Sequence, residues 1–188
     1  MTAAKTILLS ALALLLAACG AGPERYAVTP PPVTQPVGIA FRSVEVRQVS
    51  LPTYAASDEI TTQENDGTLV SDTSVLWADS PERAVGLELS RHLARLTGRR
   101  IASEPWPFES FPDARLEVRF ESLLAGPDGQ FRASGQYFVA VPDGGRERSG
   151  LFDLAVRFDP RGGPQSIAAA RGQVILDLAR FIATNGLR

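Results

Sequence analysis

One stretch leaves the fold little choice. From Arg115 to Glu121 the chain reads Arg-Leu-Glu-Val-Arg-Phe-Glu, alternating charged and apolar residues without an error. Side chains on a strand point to opposite faces in turn, so Leu116, Val118 and Phe120 share one face while Arg115, Glu117, Arg119 and Glu121 share the other. Gly126-Pro127-Asp128-Gly129 then reads as a turn, and a second strand follows from Phe131 to Val141, with Phe131, Ala133, Tyr137, Val139 and Val141 in phase. Asp143-Gly144-Gly145 turns the chain again, and Phe152, Leu154, Val156 and Phe158 give a third strand. The product is an antiparallel meander with one apolar face, which needs a cover.

Two segments can supply that cover. Ser80 is placed to cap a helix with Pro81 at its first position and Glu82 in its first turn; Val85, Leu89, Leu93 and Leu96 recur at helical spacing, and Gly98 stops it after Arg95. A last helix, about Gln165 to Thr184, carries Ile167, Val174, Leu178 and Phe181 as a stripe and ends at Asn185-Gly186. Upstream, Gly38 to Leu51 reads as a long strand in which the alternation shifts phase at Ser43, and Pro52 closes it. Ala56 to Thr68 reads as a polar loop, and Val75-Leu76-Trp77 as a short strand after it. The order predicts an α+β two-layer sandwich: an antiparallel sheet of about five to six strands with two long helices on one face.

The N-terminus carries a different signal. Lys5 precedes an apolar run, Ile7 to Leu16, that is too short to span a bilayer as a helix, and Leu16-Ala17-Ala18-Cys19 places a cleavage point before the chain's one cysteine. Residues 1–18 therefore read as a lipoprotein signal peptide, and Cys19 as the lipidation site, held in a membrane by several acyl chains. Gly20, not aspartate, follows the cysteine, which is the pattern of outer-membrane sorting, with the domain on the periplasmic face. Residues 19–37, with Pro23, Pro30, Pro31, Pro32 and Pro36, read as a lipidated proline-rich tether, a spacer of roughly 3 Å per residue. Within it Tyr26-Ala27-Val28 reads equally as a short edge strand or as unstructured arm. Residues 38–188 read as a single periplasmic α+β domain.

Charge and residue types narrow the function. Loss of the signal removes Lys5, the one lysine among 19 basic residues, leaving 18 arginines against 21 acidic residues and a formal charge of −3. Nucleic acid is disfavoured as a partner, since no basic face stands out. With Cys19 acylated no thiol remains for disulfides or metal, and no cofactor motif is present. The one histidine, His92, lies between Leu89 and Leu93 on the first helix and reads as a packed or boundary residue rather than a catalyst. Asp58, Glu59, Glu64 and Asp66 crowd one segment; a pair of acids can do hydrolytic chemistry, but a solvated loop is the simpler account. No catalytic or metal-binding set emerges, and the chain reads as a non-enzyme. Trp77 reads as packing, and Trp106, between Pro105 and Pro107, as an exposed corner.

Several short motifs together resemble a known family. Leu51-Pro52-x-Tyr54 after a long strand, Trp77-Ala78-Asp79 before a helix with Leu89, Leu93, Ala94 and Leu96, Pro105-Trp106-Pro107, the Arg115 to Phe120 strand, the closing helix and Tyr26 soon after the lipobox are similar to the ABC-type transport auxiliary lipoproteins. That family includes the outer-membrane lipoprotein of the paraquat-inducible lipid-transport system. The chain departs from it after Tyr54, where Ala55-Ala56-Ser57-Asp58 replaces the family's Leu-Asp-Arg-Pro. The resemblance implies a non-enzymatic auxiliary subunit that docks to an MCE-domain transport protein and its ABC transporter, moving lipid between two membranes. Leu51, Pro52, Tyr54 and Trp106 are the candidate partner-binding residues, and a homo-oligomeric ring is the assembly expected around a lipid-conducting tube. A stand-alone lipid-binding lipoprotein is the alternative, although such a domain needs a sheet curved round an apolar lumen and the charged face of Arg115 to Glu121 needs water or a polar partner.

Overall fold

A computed structural model describes residues 22–142 and 144–188. The signal peptide, Cys19 and Asp143 of the turn at 143–145 lie outside the described residues. The chain runs β1 (Glu24–Tyr26), β2 (Ser43–Val46), α1 (Thr53–Ala56), β3 (Glu59–Gln63), β4 (Leu69–Trp77), α2 (Pro81–Thr97), β5 (Arg100–Ser103), β6 (Ala114–Ala125), β7 (Gln130–Ala140), β8 (Arg148–Arg157) and α3 (Gly163–Asn185), with one turn of 3₁₀-helix before α3.

The meander forms as the alternation predicts. β6 pairs antiparallel with β7 and β7 with β8. Leu116, Val118, Phe131, Ala133, Tyr137, Val139 and Phe152 are buried. The charged face satisfies itself: Arg115 Nε meets Glu45 Oε2 at 3.0 Å, Arg119 pairs with Glu117 and lies 4.9 Å over the Phe138 ring, and Gln136 donates to Glu121. A register shift between Phe120 and Ser122 marks a bulge, and Gly135 lies opposite it. A Cβ on Gly135 would stand 2.1 Å from the Arg119 carbonyl oxygen, so the two backbones approach closely only because glycine has no side chain.

The sheet is neither purely antiparallel nor limited to six strands. It has eight, and it is mixed: β2 lies parallel to both β5 and β6, β3 touches the end of β6 in parallel, and β1 runs parallel to β4. Each parallel pair joins strands far apart in the chain, since parallel neighbours cannot be linked by a tight hairpin. The long edge of β6 is shared. β2 and its extension pair along the first half, as far as Ser50 N to Val118 O and Phe120 N to Ser50 O, and β3 takes the far end. Between them Pro52 has no N–H to offer, and the chain leaves the edge as α1. The sheet therefore forks.

The polar loop expected over Ala56 to Thr68 is instead most of a hairpin. β3 and β4 pair antiparallel around a turn at Glu64 to Thr68. Asp66 accepts the Thr68 N–H there and Gly67 takes φ 89°.

Both long helices form where the sequence places them and pack on each other and on the sheet. Val85, Leu89, Leu93 and Leu96 of α2 are wholly buried, each worth about 1.5–3 kcal/mol. Gly98 closes α2 in the left-handed conformation, its N–H bonded to Ala94 O. Ser80 occupies the cap position of α2 without a side-chain cap bond; Asp79 accepts its N–H and pairs with Arg83.

Residues 22–37 do not stand off as a free spacer. β1 lies along the end of β4, Ala78 N bonds to Tyr26 O, and Val37 N bonds to Leu96 O near the end of α2. Val28, Val33 and Val37 pack on the core, and Gly172 of α3 supplies the groove, since a Cβ there would meet Val28 Cγ1 at 2.8 Å. The apolar residues spaced among the prolines are what fasten the arm.

Candidate functional site

The path of the arm gives the molecule two ends. The chain enters beside β4 and Trp77, at the N-terminal end of α2, and the arm follows α2 to Leu96. A 17-residue helix is about 25 Å long, so the C-terminal end of α2 lies that far from the entry.

At that distal end the chain turns through Gly98 and Arg99 into β5, which runs back until Glu104 and Pro105 share a cleft with Ser80 and Glu82 of the entry end. The loop 104–113 then returns to the distal end, where Ser110, Phe111 and Asp113 lie beside Arg42 and Gly98. The loop is fastened at both ends. Glu104 N bonds to Val46 O, and its carboxylate takes Arg47 Nε at 3.0 Å and Gln48 N at 3.1 Å. Asp113 Oδ2 accepts the backbone N–H of Arg42 at 2.8 Å and of Ser43 at 3.1 Å, while Ser43 Oγ accepts Asp113 N. Between these anchors the loop carries aromatic rings, of which Phe108 and Phe111 are exposed while Trp106, expected as an exposed corner, is half-buried. Trp106 donates its indole N–H to Ser110 O at 2.6 Å and meets Phe108 edge-on at 4.9 Å. The Arg100 guanidinium lies 5.0 Å over the Phe108 ring, and Phe111 is 80% exposed. An open cleft of about 540 Å³ lies among Arg42, Gly98, Arg99, Arg100, Phe111 and Asp113.

The four sequence candidates for partner contact are not brought together. Trp106 lies on this distal loop. Leu51, Pro52 and Tyr54 lie at the fork, where they are half-buried. Tyr54 Oη there takes the Leu123 N–H at 3.4 Å and stands 3.5 Å from Ser122 Oγ, filling the gap on the β6 edge that Pro52 opens. Of the aromatic residues here the sequence singled out Trp106 alone; Phe108 and Phe111, close by among the same prolines, were passed over. Arg42, Arg99 and Arg100 were not legible either, because no period links residues so far apart in the chain.

A second polar cluster is buried under the arm. Arg171 of α3 and Glu88 of α2 are paired at 3.1 Å, and the Arg171 guanidinium lies 4.4 Å over the Trp77 ring. Glu88 Oε2 and Arg171 Nε find no partner among the described residues. Burial outweighs their mutual attraction: it pushes the Glu88 carboxyl up and the Arg171 guanidinium down. Tyr26, Val28 and Pro30 of the arm cover a space of about 210 Å³ beside this pair. Trp77 itself is 7% exposed, a packing residue.

His92 is enclosed, neither ring nitrogen has a partner among the described residues, and burial, then Arg95 and Arg91, push it down to about 4. It is neutral at ordinary pH. The acids noted in sequence are spread along the β3–β4 hairpin: Glu59 takes Ser57 Oγ, and Asp66 serves the turn. Among the described residues no three His, Cys, Asp or Glu side chains gather to hold a metal ion, and no helix is long and apolar enough to cross a membrane.

The sequence profile described as the ABC-type transport auxiliary lipoprotein component matches residues 26–183. A crystal structure of an uncharacterised protein superposes with a TM-score of 0.68 at 20% identity, covering 86% of this chain and 98% of that one. A protein from Xanthomonas campestris superposes with a TM-score of 0.69 at 15% identity, covering 86% and 95%. These are likenesses of fold. No curated protein matches the sequence.

Proposed function

The chain belongs to the ABC-type transport auxiliary lipoprotein component family, and from that premise we propose that it is the outer-membrane end of an intermembrane lipid-transport system. In this reading acyl chains on Cys19 hold it on the periplasmic face of the outer membrane, and it acts by docking to an MCE-domain protein and its ABC transporter. The supporting observation is the two-ended fold. The anchored terminus enters at one end of α2, and the aromatic loop with Trp106 is displayed at the other. Only Gly20 and Ala21 separate Cys19 from the first described residue, so the domain is held within about 10 Å of the anchoring leaflet. A surface meant for a partner rising from the periplasm belongs on the far side. Tryptophan, phenylalanine and arginine are the residues that interfaces favour. A ring of copies is the assembly that lets a domain of this size meet a hollow partner.

The test is co-purification of the tagged protein from its own envelope, after cross-linking, with the MCE-domain and ABC subunits. Recovery of those subunits, reduced severalfold by Trp106→Ala, is the expected result. An acylated, folded protein that retains no such subunit, and that light scattering finds monomeric at high concentration, overturns both docking and ring. Cys19→Ser is expected to yield unacylated protein that leaves the membrane fraction in a high-salt wash; retention there refutes the anchor.

A further inference from the structure

We propose that the cleft at the distal end of α2 is a binding site for an anionic phospholipid headgroup, with the phosphate held by Arg42, Arg99 and Arg100 and the glycerol end laid against Phe111. The inference rests on the lipid-transport reading and gives it a substrate-binding surface.

The arginines are more than the local structure uses. The C-terminus of α2 carries about half a negative charge, which Arg95 in the last turn already answers. Arg99 and Arg100 form no ion pair within 4 Å among the described residues, and Arg42, its side chain 88% exposed, comes no nearer than 3.9 Å to Asp113. The Asp113 oxygen nearest it is already bonded to two backbone N–H groups. Four arginines, with Arg95, stand at this end against Glu109 and Asp113, a local net charge of +2 in a mature chain of net charge −3.

Geometry and chemistry then select the ligand. The guanidinium fork is weakly hydrated and matches a phosphate's oxygens two at a time. Arg100 is held ready by its stacking on Phe108. The cleft, about 540 Å³, has the volume of a small-molecule site rather than of a flat protein contact. Free phosphate would explain the arginines but leave Phe111, 80% exposed at the rim, with nothing to cover it. A headgroup whose glycerol and first methylenes leave the cleft past Phe111 uses both. An aromatic ring beside arginines is also the side-chain pairing found at lipid interfaces.

The experiment uses the mature chain carrying Cys19→Ser, so that no acyl group contributes, and measures co-sedimentation with vesicles of phosphatidylglycerol and phosphatidylethanolamine in equal parts. Saturable binding is expected, with little to vesicles of phosphatidylcholine. Arg99→Ala with Arg100→Ala is expected to weaken binding about thirtyfold, and Phe111→Ser severalfold, each with unchanged thermal unfolding. Arg157→Ala with Arg161→Ala, on β8 and the 3₁₀ turn, is expected to leave binding unchanged. Equal binding by the Arg99/Arg100 variant overturns the site. So does calorimetric titration with inorganic phosphate that matches the vesicle affinity, because the occupant would then be the free anion. Loss of the transport subunits from the Arg99/Arg100 variant without any vesicle binding by the parent chain assigns the arginines to a protein interface and also overturns it. No transport subunit is present in the vesicle assay, so this site and the docking role fail separately.

Discussion

The buried pair under the arm offers the sharpest energetic test. Arg171 is 2% exposed and the Glu88 side chain 12%, so Glu88→Ala leaves a guanidinium with almost no water and no paired carboxylate, Asp79 acting only from a distance. Removing one partner of such a pair costs about 3–5 kcal/mol. The domain's whole stability is of order 5–15 kcal/mol, so the variant stands near the edge of folding. Replacing both, Glu88→Leu with Arg171→Met, removes two desolvated charges and keeps the volume. Its stability is expected to return to within about 1–2 kcal/mol of the parent, the residual being the lost guanidinium stacking on Trp77. Urea denaturation of the Cys19→Ser chain, followed by tryptophan fluorescence and by circular dichroism, gives both values, and Trp77→Ala is expected to cost about 3–5 kcal/mol on the same scale. A cost below about 1 kcal/mol for Glu88→Ala, or a double variant less stable than the single one, refutes the claim that desolvation dominates this pair.

Three further outcomes follow from particular contacts. Gly172→Leu is expected to lift the arm off α3, seen by mass spectrometry as faster tryptic cleavage after Arg25 with the core strands still protected. Gly135→Ala puts a methyl group against the Arg119 carbonyl and is expected to cost about 3 kcal/mol in the same denaturation assay, whereas Gly38→Ala, with open space around it and no left-handed backbone, costs far less. His92 is pushed down to about 4 in the folded chain, while an unfolded chain takes up the proton near 6.5. Stability is therefore full above about pH 6.5 and falls as pH drops toward 4, by roughly 3 kcal/mol in all, and a His92→Phe variant that keeps the volume is expected to lose that part of the slope.

What the sequence makes legible is local. The alternation of Arg115 to Glu121, the turn at Gly126 to Gly129 and the stripes of α2 and α3 are each set by neighbours in the chain. The helices form within two residues of their expected bounds, and β6 starts one residue early and runs four further, to Ala125. Parallel pairing of β2 with β5 and β6 has no such signature, because α1, the β3–β4 hairpin and α2 lie between β2 and those strands in the chain. The β3–β4 hairpin did carry one, Asp66-Gly67, but the acids around it read as a loop. The arm was misread for the opposite reason: its prolines dominate its composition, while what decides its position is Gly172, almost 150 residues away. At the candidate site Trp106 was visible between its prolines, Phe108 and Phe111 had no period to mark them, and the cationic half came together only with the fold.

The fastened arm also changes how this protein moves. With residues 22–37 packed, an anchor at Cys19, as proposed above, would leave only a short link of about 10 Å between leaflet and domain, so the domain would be held closer and tilt less freely than one on a long leash. It would then diffuse in the plane of the leaflet with its range of orientations narrowed. Part of the orientational entropy that any docking event must lose is thereby removed before encounter. The search for a partner becomes lateral, a two-dimensional problem in which each collision already presents the same end.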